Sequence, residues 1–240
     1  MTGMAAIPLD IHIVTIHPQF IESYVRFGVF RAAIAGGLVR CQAIDLRDFA
    51  VDKHASIDDL PYGGGDGMVM RPEPLAAAVS SLPVKPTVIM TSPGATPWTQ
   101  ATAQKFATTA QTGPASLLFV CGRFAGVDQR FIDRYVDHEF SLGDVVVSGG
   151  ELPVLMMADS ILRLIPGVLG DEASARFDSF AEGFDGLLEH PLYTRPREFE
   201  GVPVPEVLLS GDHKAIARWR ADESRKKTAQ LRPDLLKKQD

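Results

Sequence analysis

Apolar and polar positions alternate along this chain in two rhythms. Short, mostly apolar runs at residues 9–16, 38–45, 87–91, 117–121 and 145–147 predict strands, the last of them (Val145, Val146 and Val147) a buried one. Between them, apolar residues spaced three and four apart predict helices over 18–35, 74–81, 99–110, 128–135 and 153–165, with Gly36 and Gly37 as a stop for the first. Strand and helix in alternation predict an α/β layered domain around a mainly parallel sheet. From 166 to 188 the rhythm decays into Gly, Ser, Asp and Glu, with Phe177, Phe180 and Phe184 isolated, which predicts an irregular connection. Two further helices are predicted over 212–227 and 233–238. The resulting plan is a domain at 1–166, a linker at 167–188 and a small helical domain at 189–240.

Composition narrows the class. With 45% apolar and 22% charged residues over 240 positions, the chain can bury a globular core. No apolar run reaches the eighteen or so residues of a membrane span, and the first six residues lack the basic and apolar parts of a signal peptide, so a cytoplasmic protein is expected. Cys41 and Cys121 sit inside apolar runs and read as free buried thiols. Without a Cys-x-x-Cys pair, no structural metal is expected.

Net charge is −6, but it is unevenly spread. Residues 1–194 carry 13 basic and 22 acidic side chains, a net −9, whereas 195–240 carry 11 and 8, a net +3. Lys214, Arg218, Arg220, Arg225, Lys226 and Lys227 crowd one predicted helix. Such a cluster is either a solvated face or a phosphate-contacting one.

The densest chemical signal runs from Ser141 to Pro153. Apolar Val145–Val147, two glycines and then a helix describe a chain that turns sharply and leaves backbone N–H and C=O groups unpaired. Those groups can bind a flat polar ring such as adenine; a tight connection without a ligand would use the same residues. Ser148 and Glu151 have capping-box spacing, but a cap there would push Pro153 past the first helical turn, so a helix starting near Gly150 is expected, with the Ser148–Gly149–Gly150 backbone free for a ligand. After the first strand comes His17-Pro18-Gln19, and no G-x-G-x-x-G follows any strand, which disfavours a Rossmann fold. Pro61-Tyr-Gly-Gly-Gly-Asp-Gly67 lacks the Lys and Ser/Thr ending of a triphosphate-binding loop.

The 141–153 stretch, Ile165-Pro-Gly-Val-Leu-Gly170, Asp178-Ser-Phe-Ala-Glu-Gly183, Tyr193-Thr-Arg-Pro196, Pro61-Tyr-Gly-Gly-Gly65 and Val120-Cys-Gly-Arg123 occur in the order found in bacterial tRNA (guanine-N1)-methyltransferases. From about Ile11 to Leu236 the chain resembles this TrmD family, of the knotted SPOUT class. The resemblance implies a trefoil-knotted, mainly parallel α/β domain followed by a small all-helical C-terminal domain. It also implies a homodimer with its active site at the subunit interface, and methylation of N1 of guanosine 37, beside the tRNA anticodon, by S-adenosylmethionine. Three loops would hold that cofactor, through Ser92 and Pro93, Gly122 and Gly126, and Leu142, Gly143, Asp144, Val145, Val146, Val147, Gly149 and Gly150. Lys53, His54, Asp58 and Tyr62 would contact tRNA, as would Arg218 and Arg220 if the basic helix meets phosphate. Magnesium dependence is a further implication, with no dedicated ligand cluster in the sequence.

Methylating N1 of guanine requires removal of its proton and stabilisation of charge on O6. By the resemblance, Asp178 is the general base and Arg163 the cation. Read without it, Asp159 and Arg163 are an i,i+4 pair on one helix and Asp178 a solvated loop acid. The chain departs from the family pattern at Ala125, where many relatives have Glu, and at Asp66, where a Pro is common. Met90 also stands where an aromatic is sometimes found. The rival readings are another knotted RNA methyltransferase, such as a ribose 2′-O enzyme, and a catalytically silent RNA-binding protein.

Overall fold

The computed structural model describes residues 8–112, 115–170 and 177–237, so the first seven residues, 171–176 of the expected linker and 238–240 lie outside the described residues. The chain divides into two compact units, Met1–Gly170 and Asp171–Asp240.

The first unit is built on β1 (Leu9–Thr15), α1 (Pro18–Tyr24), α2 (Gly28–Ala35), β2 (Val39–Asp45), the short β3 (Asp58–Asp59) and β4 (Val69–Met70), and α3 (Pro72–Ser80). It continues through β5 (Thr87–Pro97), α4 (Gln100–Gln111), β6 (Ser116–Val120), α5 (Gln129–Tyr135), β7 (His138–Ser141) and α6 (Glu151–Leu162). Five strands form one sheet in the order β2-β1-β6-β5-β7, with every neighbour parallel. Both faces are covered, and β6 in the middle of the sheet is accordingly apolar and buried from Leu117 to Val120. Ile11, Ile13, Leu117 and Phe119 point into a core with Ile21, Phe30, Ala103, Ala107 and the buried face of α6. Val14, Leu118 and Val120 point the other way, against Leu75 and Ala78 of α3 and Phe131 of α5. Side chains of a strand alternate between faces, so one apolar run serves two cores.

Two expectations are corrected here. The helix over 18–35 is two helices, because Gly28 takes φ +56°, outside the right-handed region, and breaks the ladder between Tyr24 and Gly28. The expected buried strand at Val145–Val147 is an exposed loop, with Val146 84% accessible. The place beside β5 is filled by His138–Ser141, and the chain then turns away at Gly143, at φ +129°. Three apolar residues in a row signal burial against something, and here that something is not the sheet.

In the second unit, α7 (His213–Leu231) is capped by Asp212, whose side chain accepts from the Lys214 and Ala215 amides, and is followed by α8 (Pro233–Leu236). This unit is not all-helical. Glu198–Phe199 and Val202–Pro203 pair as a short antiparallel hairpin, and a 3-10 turn spans Glu206–Leu209. Residues 177–188, placed in a linker by the sequence, pack within this unit. The Leu188 amide donates to Thr228 Oγ1 at 3.0 Å, Ser224 Oγ donates to the Leu188 carbonyl at 2.6 Å, and Leu187 is buried.

Candidate active site

The carboxyl ends of the three neighbouring strands β6, β5 and β7 lie side by side, the usual place for a ligand in an α/β sheet. At the end of β5 the pairing with β7 shifts register: Thr91 and Thr96 both oppose Phe140. The four residues between, Ser92 to Ala95, are therefore extruded from the ladder as a bulge. Pairing resumes at Thr96 and Pro97, and Trp98 anchors the return, its amide donating to the Ser141 carbonyl at 2.7 Å and its indole to Ser160 Oγ at 3.0 Å. Ser92 and Pro93 thus stand at the sheet rim because the bulge puts them there.

Beyond β6, residues 121–126 meet residues 148–151. The Gly150 amide donates to the Gly122 carbonyl at 2.8 Å, and Arg123 and Gly149 form a one-residue bridge. Approach is too close for a side chain on either glycine. A Cβ on Gly150 would lie 2.7 Å from Cys121 Cα, and one on Gly149 would lie 2.6 Å from Arg123 Nε. Glu151, only 6% accessible, sits beneath this junction. Thr15 Oγ1, at the end of β1, donates to its Oε1 at 2.8 Å, Arg123 Nε stands 3.6 Å from the same oxygen, and Arg123 Nη1 donates to the Ser148 carbonyl at 2.8 Å.

The helix begins where the sequence placed it, with Gly150 as N-cap and no side-chain cap. The Ser148–Gly149–Gly150 backbone, however, is not left free: Ser148 and Gly150 are spent on Arg123 and Gly122. The available main chain lies just before them. Among the described residues, neither Val146 nor Val147 makes a backbone hydrogen bond, while Gly143 is tied to Ser141 and Val145 to Gly143. An exposed valine edge whose last two residues keep N–H and C=O groups open can accept a flat heteroaromatic ring, so these residues fit an adenine-bearing cofactor.

The glycine-rich segment closes on the same loops. Ala125 donates its amide to the Met68 carbonyl at 2.8 Å, Met70 donates to the Gly126 carbonyl at 2.9 Å, and a Cβ on Gly67 would lie 3.2 Å from that of Ala125. Upstream, Asp52 gathers its own loop by accepting from the His54 amide at 2.8 Å, from Ser56, and from Arg71 at 3.2 Å. These contacts, led by the Ser56 backbone, hold its carboxyl below the ordinary value. Lys53, His54 and Tyr62 are exposed on this segment and Asp58 is half-buried in β3.

Arg163 closes α6 as its C-cap. Burial raises the pKa of Asp159, one turn earlier, and the Arg163 charge opposes that rise, so the two feel each other as the i,i+4 spacing suggests. Asp178 is half-buried in the second unit, where its carbonyl accepts from the Ala181 amide at 3.1 Å. Arg218 and Arg220 are exposed on α7. Both cysteines are free; burial pushes the Cys41 thiol up to about 12 and Cys121 well above its usual value, which disfavours the thiolate of each. Among the described residues no three His, Cys, Asp or Glu side chains gather as a metal site, and no helix is long and apolar enough to cross a membrane.

Sequence reading gave Thr15, Arg123 and Glu151 no role. Glu151 had one local signal, its spacing from Ser148, and that pointed to a cap. Its actual partner Thr15 is 136 residues away.

Residues 9–238 match the family model described as tRNA (Guanine-1)-methyltransferase TrmD. A tRNA (guanine-N(1)-)-methyltransferase of Sulfurihydrogenibium is 46% identical over 233 residues, covering 96% of this chain and 88% of that protein. Its namesake in Geobacter sulfurreducens is 46% identical over 229 residues, covering 94% and 90%. A third, from Synechococcus elongatus, is 48% identical over 225 residues, covering 93% and 92%. The match runs through the bulge after β5, the Arg123–Glu151 junction and both compact units, and the chain belongs to the tRNA (guanine-1)-methyltransferase TrmD family.

Proposed function

We propose that this chain methylates N1 of guanosine 37, next to the tRNA anticodon, with Asp178 as general base and Arg163 stabilising charge on guanine O6. Family membership makes it a tRNA (guanine-N1)-methyltransferase and implies S-adenosylmethionine as methyl donor. When bound, that cofactor supplies an electrophilic methyl group. The residues that would hold it are the open main chain of Val146 and Val147 with Leu142, Gly143, Asp144 and Val145, the bulge residues Ser92 and Pro93, and Gly122 and Gly126 with Gly149 and Gly150 behind them.

The chain's own residues have three tasks. Asp178 accepts the N1 proton, which frees the nitrogen lone pair for attack. A carboxylate is a weak base beside the nitrogen it must deprotonate, so the work is shared: Arg163 stabilises the enolate-like oxygen and makes N1 more acidic. The exposed basic residues of α7, Arg218 and Arg220 among them, supply phosphate contacts, with Lys53, His54, Asp58 and Tyr62 on the substrate side of the first unit. Magnesium has no supporting ligand cluster among the described residues and enters no step.

The proposed assembly is a cytoplasmic homodimer with the active site at its interface. Leu152 and Met156, one turn apart on α6 and 55% and 59% accessible, form an apolar strip that suits a second copy. The trefoil knot of the SPOUT class is proposed for the same region, where the segments after β5, β6 and β7 converge.

The observation that carries the reading is the unpaired, exposed backbone of Val146 and Val147 at the carboxyl end of a parallel sheet, in a chain that matches this family almost end to end. The test is methyl transfer from labelled S-adenosylmethionine to bulk tRNA, with nucleoside analysis of the product. 1-Methylguanosine at position 37 is expected. A 2′-O-methylated nucleoside would favour the rival knotted enzyme, and no label from a protein that binds tRNA would favour the silent RNA binder.

A further inference from the structure

We propose that Glu151 and Arg123 are a positioning pair that sets the shape of the cofactor pocket without touching the cofactor. The inference rests on the reading of these loops as the S-adenosylmethionine site.

Glu151 belongs to the first turn of α6, yet its carboxylate is turned inward, with its side chain 7% accessible and that of Arg123 21%. A carboxylate taken out of water needs charge and hydrogen bonds in return. It receives a hydroxyl from Thr15 on β1 and the Arg123 guanidinium from the loop after β6. Arg123 in turn spends Nη1 on the Ser148 carbonyl, and its own amide meets Met70 Sδ at 3.2 Å. One carboxylate therefore ties together the end of β1, two of the three cofactor loops and, through Met70, the glycine-rich segment. Gly149 shows how tightly the guanidinium is seated, because a Cβ there would run into Arg123 Nε and Cδ at 2.6 and 2.8 Å.

The open edge Val146–Val147 lies immediately before this knot of contacts, so its distance from the Gly122–Gly126 loop is set by the Arg123–Ser148 bond and the Gly150–Gly122 bond. An apolar pair would fill the same space, since buried ion pairs rarely stabilise more than a hydrophobic replacement. What an apolar pair would lack is a directional hold on a backbone carbonyl next to the ligand edge. That hold spares the cofactor from ordering the loops itself.

Calorimetry with S-adenosylmethionine, tRNA binding by anisotropy and thermal unfolding, run on the full chain, test this. Glu151→Gln keeps the shape and the Thr15 partner but removes the charge that seats Arg123. It should weaken cofactor affinity by roughly ten- to a hundredfold, the range lost when a supporting group behind a metal ligand is removed. Affinity for tRNA alone should stay the same, and the Gly150 amide, bonded to the Gly122 carbonyl, should exchange faster with solvent. Arg123→Ala should do likewise, and the two together should be no worse than the weaker-binding single, as for residues acting as one unit. Arg123→Lys should recover part of the loss. Unchanged cofactor affinity in Glu151→Gln, or cofactor and tRNA affinity falling together with thermal stability, would overturn the proposal and leave a pair that only holds the fold. A folded wild-type chain that binds no S-adenosylmethionine would instead sink the cofactor-site reading beneath it.

Discussion

Replacing Gly150 with Ala adds one methyl group where three segments meet, and the structure sets the scale of the damage. That carbon would stand 2.7 Å from Cys121 Cα, 2.7 Å from Thr91 Oγ1 and 2.8 Å from the Gly122 nitrogen, against a comfortable ~3.5–4.0 Å. Two of the three atoms are backbone and cannot rotate away. Gly150 has φ −74°, which any residue adopts, so no backbone strain confuses the comparison and the effect is steric alone. Relief requires α6 to move off the β6 loop, which breaks the Gly150–Gly122 hydrogen bond. Overpacking of this kind costs ~1–3 kcal/mol, a fall in Tm of roughly 2–12 °C for a chain of this size. Because the displaced segments frame the proposed pocket, S-adenosylmethionine affinity should fall with stability. Gly94→Ala is the control: nothing lies within 4 Å of its Cβ position, so Tm should stay within the range of a surface change. Differential scanning calorimetry and isothermal titration of both variants decide the matter. A Gly150→Ala protein with wild-type Tm and wild-type cofactor affinity would refute the close-packing account of this junction.

Asp178→Asn should reduce methyl transfer by about 10²–10⁴ while cofactor affinity stays the same; turnover within a few-fold of wild type would make Asp178 a bystander. Ala125→Glu brings a second carboxylate to the wall where Ala125 meets Gly67, next to Asp66. Its effect on S-adenosylmethionine affinity should therefore be more favourable in an Asp66→Asn background, and strict additivity in a double-mutant cycle would separate the two positions. Asp128 caps α5 by accepting from the Arg130 amide at 2.9 Å, and its bonds to the Arg130 side chain are the main reason its pKa is lowered. Asp128→Ala should cost ~0.5–2 kcal/mol at neutral pH. A depressed folded pKa means the charge-dependent part of this stability is present above the unfolded carboxylate value and lost as pH falls through the folded one. Thermal melts of the two proteins should converge on acidification, and a gap that widened toward low pH would contradict that sign.

Much of the frame was legible because it depends on short-range rules. Helix starts at Thr99, Asp128 and Asp212 carry side chains that cap the first turn, and each caps in the structure. The α/β alternation and parallel sheet followed from apolar rhythm, and the family motifs pointed to the loops at the ends of β5, β6 and β7. What escaped was decided by residues far apart in sequence. Val145–Val147 was apolar enough to be buried, but β7 had already taken the place beside β5, so the valines face outward. The break at Gly28 depends on a left-handed backbone that glycine permits without demanding. Ser148 and Glu151 had the spacing of a cap, yet Glu151 turned inward because Thr15 and Arg123 offered a buried carboxylate the donors it needs. Residues 177–188 looked like a linker for want of periodicity, and pack because Ser224 and Thr228 of α7 bond to the Leu188 backbone. Sequence alone determined four of the five strands of the sheet and most of the helices, since local sterics and periodicity act within a few residues. Tertiary structure decided which of those loops touch and which polar groups remain open, because a buried charge or unpaired backbone group is satisfied by whatever the fold brings near it.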